Sequence, residues 1–226
     1  MKTTVDIDAI HRVLKREYSR HRMPVVELIQ TATNDPYRVL TATILSARTK
    51  DQVTAAASNR LFSRAPRIDD LRRLSVSEIE TCIYPVGFWK QKARYLHTLP
   101  DCLDELYCGT IPDTVDELIR LPGVGRKTAN LVVAVAFGKP AICVDVHVHR
   151  ICNRLGYVQT ATPLHTEMKL RSILPARYWI SINSYLVSFG QHTCTPVSPR
   201  CAGCPIARWC NRVGVTSRNE GSRLRA

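Results

Sequence analysis

The chain has 226 residues, 45% hydrophobic and 23% charged, enough to bury a core and to fill one large domain or two modest ones. A formal net charge of +13 points to a polyanionic partner, either nucleic acid or a membrane surface. The N-terminus lacks the apolar stretch of a secretory signal, and the longest apolar run, Leu131 to Phe137, is too short to span a bilayer. A soluble, cytoplasmic protein with no membrane partner is expected.

In chain order, the apolar spacing predicts a helix over 8–18, then helices over 36–46 and 51–62 separated by the polar stretch Ala47-Arg48-Thr49-Lys50. A short helix follows over 69–74. Another covers 75–82, where Ser75 and Glu78 have the spacing of a capping box. In "YPVGFWKQKARYL" the Pro and Gly mark a turn, and a helix resumes over 90–99. Pro112 introduces a helix over 113–121, capped by Asp113 or Thr114. A helix over 127–137 is stopped by Gly138 and Pro140. Alternating strand patterns are scarce, so the fold class is all-α. The segment 213–226 is polar and basic and is expected to fray.

Between the helices over 113–121 and 127–137 lies "LPGVGRKTAN", Leu121 to Asn130. Gly123 and Gly125 permit positive φ and close approach of another backbone. The amides of Gly123, Gly125 and Lys127 then sit at a helix N-terminus, whose partial positive charge and free N–H groups suit a phosphate. Arg126 and Lys127 add charge there. Lys127 admits a second role: a helix N-terminus and a neighbouring cation both disfavour an ammonium, and a neutral amine can attack an electrophilic carbon to form a Schiff base.

Downstream, "AICVDVHVHRICNRLG" is an apolar run followed by Asp145 at the head of a helix that closes at Gly156. Asp145 suits an N-cap, worth roughly 1 kcal/mol. Delivered from a buried segment, its carboxylate also suits a general base or the stabilisation of a cationic intermediate. His147 lies beside it.

Of nine cysteines, Cys82, Cys102, Cys108, Cys143 and Cys152 are scattered and read as reduced, mostly core residues. Cys194, Cys201, Cys204 and Cys210 crowd together as C-x6-C-x2-C-x5-C, with Arg200 and Arg208 among them. That spacing suits one four-thiolate metal site. It leaves zinc and an iron–sulfur cluster both open, since zinc sites more often pair two C-x2-C knuckles.

Taken together, "LPGVGRKTAN", "VDVHVHRICNRLG", the cysteine spacing and "LSARTKDQVT" at Leu45 to Thr54 resemble the endonuclease III branch of the helix-hairpin-helix DNA glycosylase superfamily. The likeness runs from about residue 8 to residue 211. It implies two helical domains flanking a DNA-binding cleft. One is a six-helix barrel over 29–139 that carries the helix-hairpin-helix; the other is discontinuous, 1–28 with 140–226, and carries a [4Fe-4S] cluster on Cys194, Cys201, Cys204 and Cys210. Lys127 falls on the family's nucleophile and Asp145 on its aspartate. The implied activity is that of a bifunctional DNA glycosylase and AP lyase of base excision repair, acting as a monomer on double-stranded DNA with damaged pyrimidines or abasic sites. The implied location is the nucleoid.

Contacts to DNA fall to Gly123, Gly125, Arg126 and His147, with Phe88 where the family puts an apolar wedge and Arg48 as a gap filler. The family commonly has glutamine at the Arg48 position, and some relatives have an acidic residue at that of Ile119. Two rivals remain: a monofunctional mismatch or uracil glycosylase of the same superfamily, whose members usually carry serine or tyrosine in place of Lys127, and a non-catalytic helix-hairpin-helix DNA-binding protein. Lys90 and Lys92, also just after a Pro-x-Gly turn, are the alternative nucleophiles.

Overall fold

The computed structural model describes residues 3–21 and 23–215. Most of the basic segment 213–226 that is expected to fray lies outside the described residues. Within them the chain is all helical, with eleven α-helices, three short 3-10 turns and no strand. No helix among the described residues is long and apolar enough to cross a membrane. The helices are α1 (Ile7–Tyr18), α2 (Val25–Thr33), α3 (Pro36–Ser46), α4 (Asp51–Arg64), α5 (Val76–Ile83), α6 (Trp89–Tyr107), α7 (Val115–Leu118), α8 (Arg126–Ala136), α9 (Val146–Leu155), α10 (Pro163–Ile173) and α11 (Trp179–His192).

The described chain divides into two compact units, residues 23–143 and residues 3–21 with 144–215. The first therefore begins ahead of α2 rather than at residue 29. Val25 and Val26 of α2 are buried with Val39 and Ala42 of α3, so α2 cannot leave the unit without exposing them. Its main core gathers Leu40, Ile44 and Leu45 of α3, Leu61 of α4, Ile79 and Ile83 of α5, and Leu96, Leu99 and Leu103 of α6.

Local chemistry sets several boundaries. Asp35 caps α3 by accepting from the Tyr37 amide, and Pro36 opens the helix. Ser75 and Glu78 form both halves of the expected capping box, and Arg64 bonds Glu78 from α4. Helix α6 departs from expectation, running on through Pro100 to Tyr107. A mid-helix proline costs roughly 3 kcal/mol. Burial of Leu96, Leu99 and Leu103, each worth roughly 1.5–3 kcal/mol, outweighs it. Helix α7 falls short of its expected span and ends at Leu118, because the Leu121 amide bonds back to Leu118 and turns the chain. The stretch expected as a helix over 69–74 is a 3-10 turn, Ile68–Arg73.

In the discontinuous unit α1 packs on α11, which packs on α9, and α10 also packs on α9. His11 of α1 stacks on Tyr178 at 3.9 Å and bonds Ser181 at 2.8 Å. Asn211 ties Thr3 to the end of α9: its side chain accepts from the Thr3 amide at 2.7 Å and donates to the Thr3 and Leu155 carbonyls, each at 3.0 Å.

Candidate active site

The hairpin between α7 and α8 is pinned from beneath by Leu118, Leu121 and Val124, all buried in the main core. Gly123 has φ +76, and a Cβ there would stand 2.5 Å from the Tyr95 ring, so glycine is required on both counts. Gly125 differs from expectation. Its φ is −89 and a Cβ would meet nothing within 4 Å, so positive φ is not its reason. It is exposed, and what its bare backbone allows is close approach from outside.

Gly125 is also the N-cap of α8, and no side chain caps that helix start. The first-turn amides sit beneath the half-buried Arg126 and the exposed Lys127. This is a ready anion site. Asn130, wholly buried, holds the turn by donating to the Arg126 carbonyl at 3.0 Å, and the Cys143 thiol lies 3.6 Å from the Lys127 carbonyl. The Lys127 side chain thus projects from a backbone held on two sides.

Asp145 is the N-cap of α9, as expected. Its Oδ1 accepts from the amides of His147 at 2.8 Å and Val148 at 2.9 Å. The preceding residues 141–144 are buried, and Asp145 itself is half-buried. The His147 ring is turned into its own unit, where Nδ1 lies 3.1 Å from Arg150 Nη2 and packs against Gly190 so closely that a Cβ there would be 2.5 Å away. Arg150 goes on to donate to the carbonyls of Gly190 and Cys194. Burial draws its guanidinium below the usual value, against the pull of Cys194 and Asp145.

Cys194, Cys201, Cys204 and Cys210 line one pocket, open in part to solvent, with Ile151, Leu155, Phe189 and Ile206 among its walls. Arg154 of α9 donates to Cys194 Sγ at 3.4 Å and to the Thr195 carbonyl at 2.7 Å. The Arg212 amide donates to Cys210 Sγ at 3.4 Å. Burial raises the thiols of Cys204 and Cys210, and the neighbouring cysteines raise them further. Four thiolates there would need a positive partner to offset the charge. Among the described residues no three His, Cys, Asp or Glu side chains converge on a point that could hold a single ion. Of the scattered cysteines, Cys82, Cys143 and Cys152 are buried, as expected, while Cys108 is exposed.

Arg48 and Phe88, forty residues apart, are brought together. Both adopt left-handed backbone (φ 54 and φ 58), and the Arg48 guanidinium lies 5.4 Å from the centre of the Phe88 ring. Phe88 is 59% exposed, too much for a core residue and fitting for a wedge. Gly87 makes the meeting possible, since a Cβ there would stand 2.5 Å from the Arg48 carbonyl. Lys92 has no place as an alternative nucleophile. Only 6% exposed, it turns Nζ inward to the carbonyls of Leu45 and Ala47. Burial draws its pKa down to about 8. The signal for this was the lysine's place on the apolar face of α6, four residues before Leu96. Lys90 is exposed, its ammonium 5.2 Å from the centre of the Trp89 ring.

Residues 41–176 match the HhH-GPD superfamily of base excision DNA repair proteins. The chain is similar to endonuclease III of Thermotoga maritima, 44% identical over 176 residues that cover 78% of this chain and 83% of that protein. It is 47% identical to endonuclease III-like protein 1 of Bos taurus over 74% of its own length, but spans only 56% of that longer relative. Among solved structures it resembles a trapped endonuclease III–DNA covalent intermediate, with a TM-score of 0.76 and 33% identity over 91% of this chain and 95% of that one.

Proposed function

This chain belongs to the endonuclease III family within the HhH-GPD superfamily of base excision DNA repair proteins, and on that premise we propose that it is a bifunctional DNA glycosylase and AP lyase acting on oxidised or ring-damaged pyrimidines. The observation that carries the reading is Lys127: exposed, on a firmly held backbone, in the first turn of a helix whose amides no side chain caps. The same helix end can bind a phosphate and present a primary amine beside it.

In the proposed reaction the target nucleotide leaves the stack, at a cost of a few kcal/mol. Phe88 and Arg48 fill the space it vacates, while Gly123, Gly125 and Arg126 hold the backbone and His147 stands at the start of α9. Lys127 Nζ attacks C1′, the C1′–N bond to the base breaks, and the base departs with a proton. The sugar ring opens as the amine loses a proton and an imine forms between Nζ and C1′. Loss of a C2′ proton then expels the 3′ phosphate by β-elimination, cutting the strand 3′ to the lesion. Asp145 handles protons or stabilises the positive charge that develops on the sugar.

Cys194, Cys201, Cys204 and Cys210 would hold a [4Fe-4S] cluster. The four thiols line one pocket, and Arg154 and the Arg212 amide supply the hydrogen bonds that cluster sulfurs take. Such a cluster would supply redox-active iron and shape the basic loop between Cys194 and Cys201, leaving the chemistry at the sugar to Lys127 and Asp145. Purified protein is expected to be coloured and to carry about four iron atoms per chain, with Cys204→Ala losing both. Colourless protein with one zinc per chain would overturn the assignment.

The substrate is tested with a panel of duplexes carrying thymine glycol, dihydrouracil, uracil or mismatched thymine. Excision of the first two, with strand cleavage, is expected. Excision of only the last two, without cleavage, would instead make the protein a monofunctional mismatch or uracil glycosylase, and binding without excision a non-catalytic DNA-binding protein. In this reading the protein acts on the nucleoid as a monomer, and its excess of cationic side chains makes DNA binding weaken as salt rises.

A further inference from the structure

Lys92 is a buried cation whose partners are neutral oxygens. Its Nζ lies 2.9 Å from the Leu45 carbonyl, 2.6 Å from that of Ala47 and 3.5 Å from Thr49 Oγ1. Taking an ammonium out of water is costly, and packing alone would be served better by an apolar side chain. What the charge gains here is the carbonyl end of α3, where the helix dipole is negative.

The next residue beyond that end is Arg48, held at a positive φ that a non-glycine residue adopts only when its surroundings impose it. Thr49 Oγ1 also accepts from the Gly87 amide at 3.1 Å, joining the loop of Arg48 to the loop of Phe88. The Lys92 amide in turn bonds the Phe88 carbonyl at 3.0 Å. One residue therefore grips both loops, the Phe88 loop through its backbone and the Arg48 loop through its side chain.

We propose that Lys92 is a positioning residue that holds Arg48 and Phe88 together as one preassembled wedge, and so governs extrusion of the nucleotide from duplex DNA rather than the reaction at the sugar. This rests on the reading of Arg48 and Phe88 as the side chains that fill the vacated stack. A wedge that is already formed adds no ordering cost at the moment of insertion. One that must assemble on the DNA adds that cost to the unstacking of the base.

The test compares two substrates under single-turnover conditions: a duplex with one thymine glycol, where extrusion is required, and a single-stranded oligonucleotide with an abasic site, where it is not. Lys92→Met is expected to slow duplex excision by about 10- to 100-fold, and to leave single-strand cleavage within about twofold of wild type. Thr49→Val, at a half-buried position, removes the shared acceptor without touching the core and is expected to show the same asymmetry, more weakly. The double variant Lys92→Met/Phe88→Ala is expected to be no slower on the duplex than Phe88→Ala alone, because Lys92 acts through Phe88. Equal losses on both substrates, no loss in either single variant, or multiplied losses in the double variant would overturn the proposal. A wild-type protein inactive on both substrates would instead overturn the proposed enzyme activity, and an unaffected Phe88→Ala would remove the wedge reading along with the role of Lys92.

Discussion

Replacing Lys127 by alanine is expected to abolish the covalent adduct that borohydride traps between the protein and an abasic duplex, and to lower strand cleavage at least about 10³-fold. The structure sets the terms of this experiment. Lys127 is exposed, so its truncation should change stability by no more than about 0.5 kcal/mol. The backbone amides at the start of α8, the positive φ of Gly123 and the buried anchors Leu121 and Val124 all survive the substitution. Affinity for an abasic duplex should therefore fall only by the share of one cation, with a slightly shallower salt dependence. Retained binding with no trapped adduct assigns the imine to Lys127. An undiminished adduct would move it to another amine. Lys92 is not available for that, since its Nζ is committed to two carbonyls, which leaves Lys90 as the next to test.

Asp145→Asn is expected to lower base excision by roughly 10²- to 10⁴-fold while leaving thermal stability nearly unchanged. Asparagine caps a helix about as well as aspartate. It can keep the two bonds that Oδ1 accepts from the His147 and Val148 amides. What it removes is the negative charge and the capacity to take a proton. Asp145→Ala removes these and the cap, so it should show a similar kinetic loss plus about 1 kcal/mol of destabilisation. Measuring excision rate and melting temperature for both variants separates the carboxylate's two roles. If Asp145→Asn keeps excision within about tenfold of wild type, Asp145 is a helix cap and little more.

Several features were legible because the responsible chemistry lies within a few residues. Ser75 with Glu78 announce the start of α5 and Asp145 the start of α9, and each is realised as a cap. Asp35-Pro36 ahead of α3 and Thr162-Pro163 ahead of α10 carry the same kind of signal without having been singled out; Asp35 accepts from the Tyr37 amide and Thr162 from the His165 amide. Helices α2 and α11 have no side-chain cap, so they offered no such mark. The passage of α6 through Pro100 was hidden for a different reason: the local penalty is visible in the sequence, and the burial that outweighs it is not.

The sequence by itself determined the helical class, the caps at Ser75 and Asp145 and the grouping of four cysteines near the C-terminus. All of these follow from steric limits and hydrogen bonds among near neighbours in the chain. Tertiary structure decided which loops meet. Arg48 and Phe88 touch because Gly87 lets one backbone approach another and because Lys92 bonds residues 45–49 from a helix that starts forty residues later. It also decided that, of three lysines following turns built on proline and glycine, Lys92 is buried while Lys90 and Lys127 face solvent. Exposure depends on what packs above a residue, and that is set by segments distant in sequence whose apolar faces must leave water together.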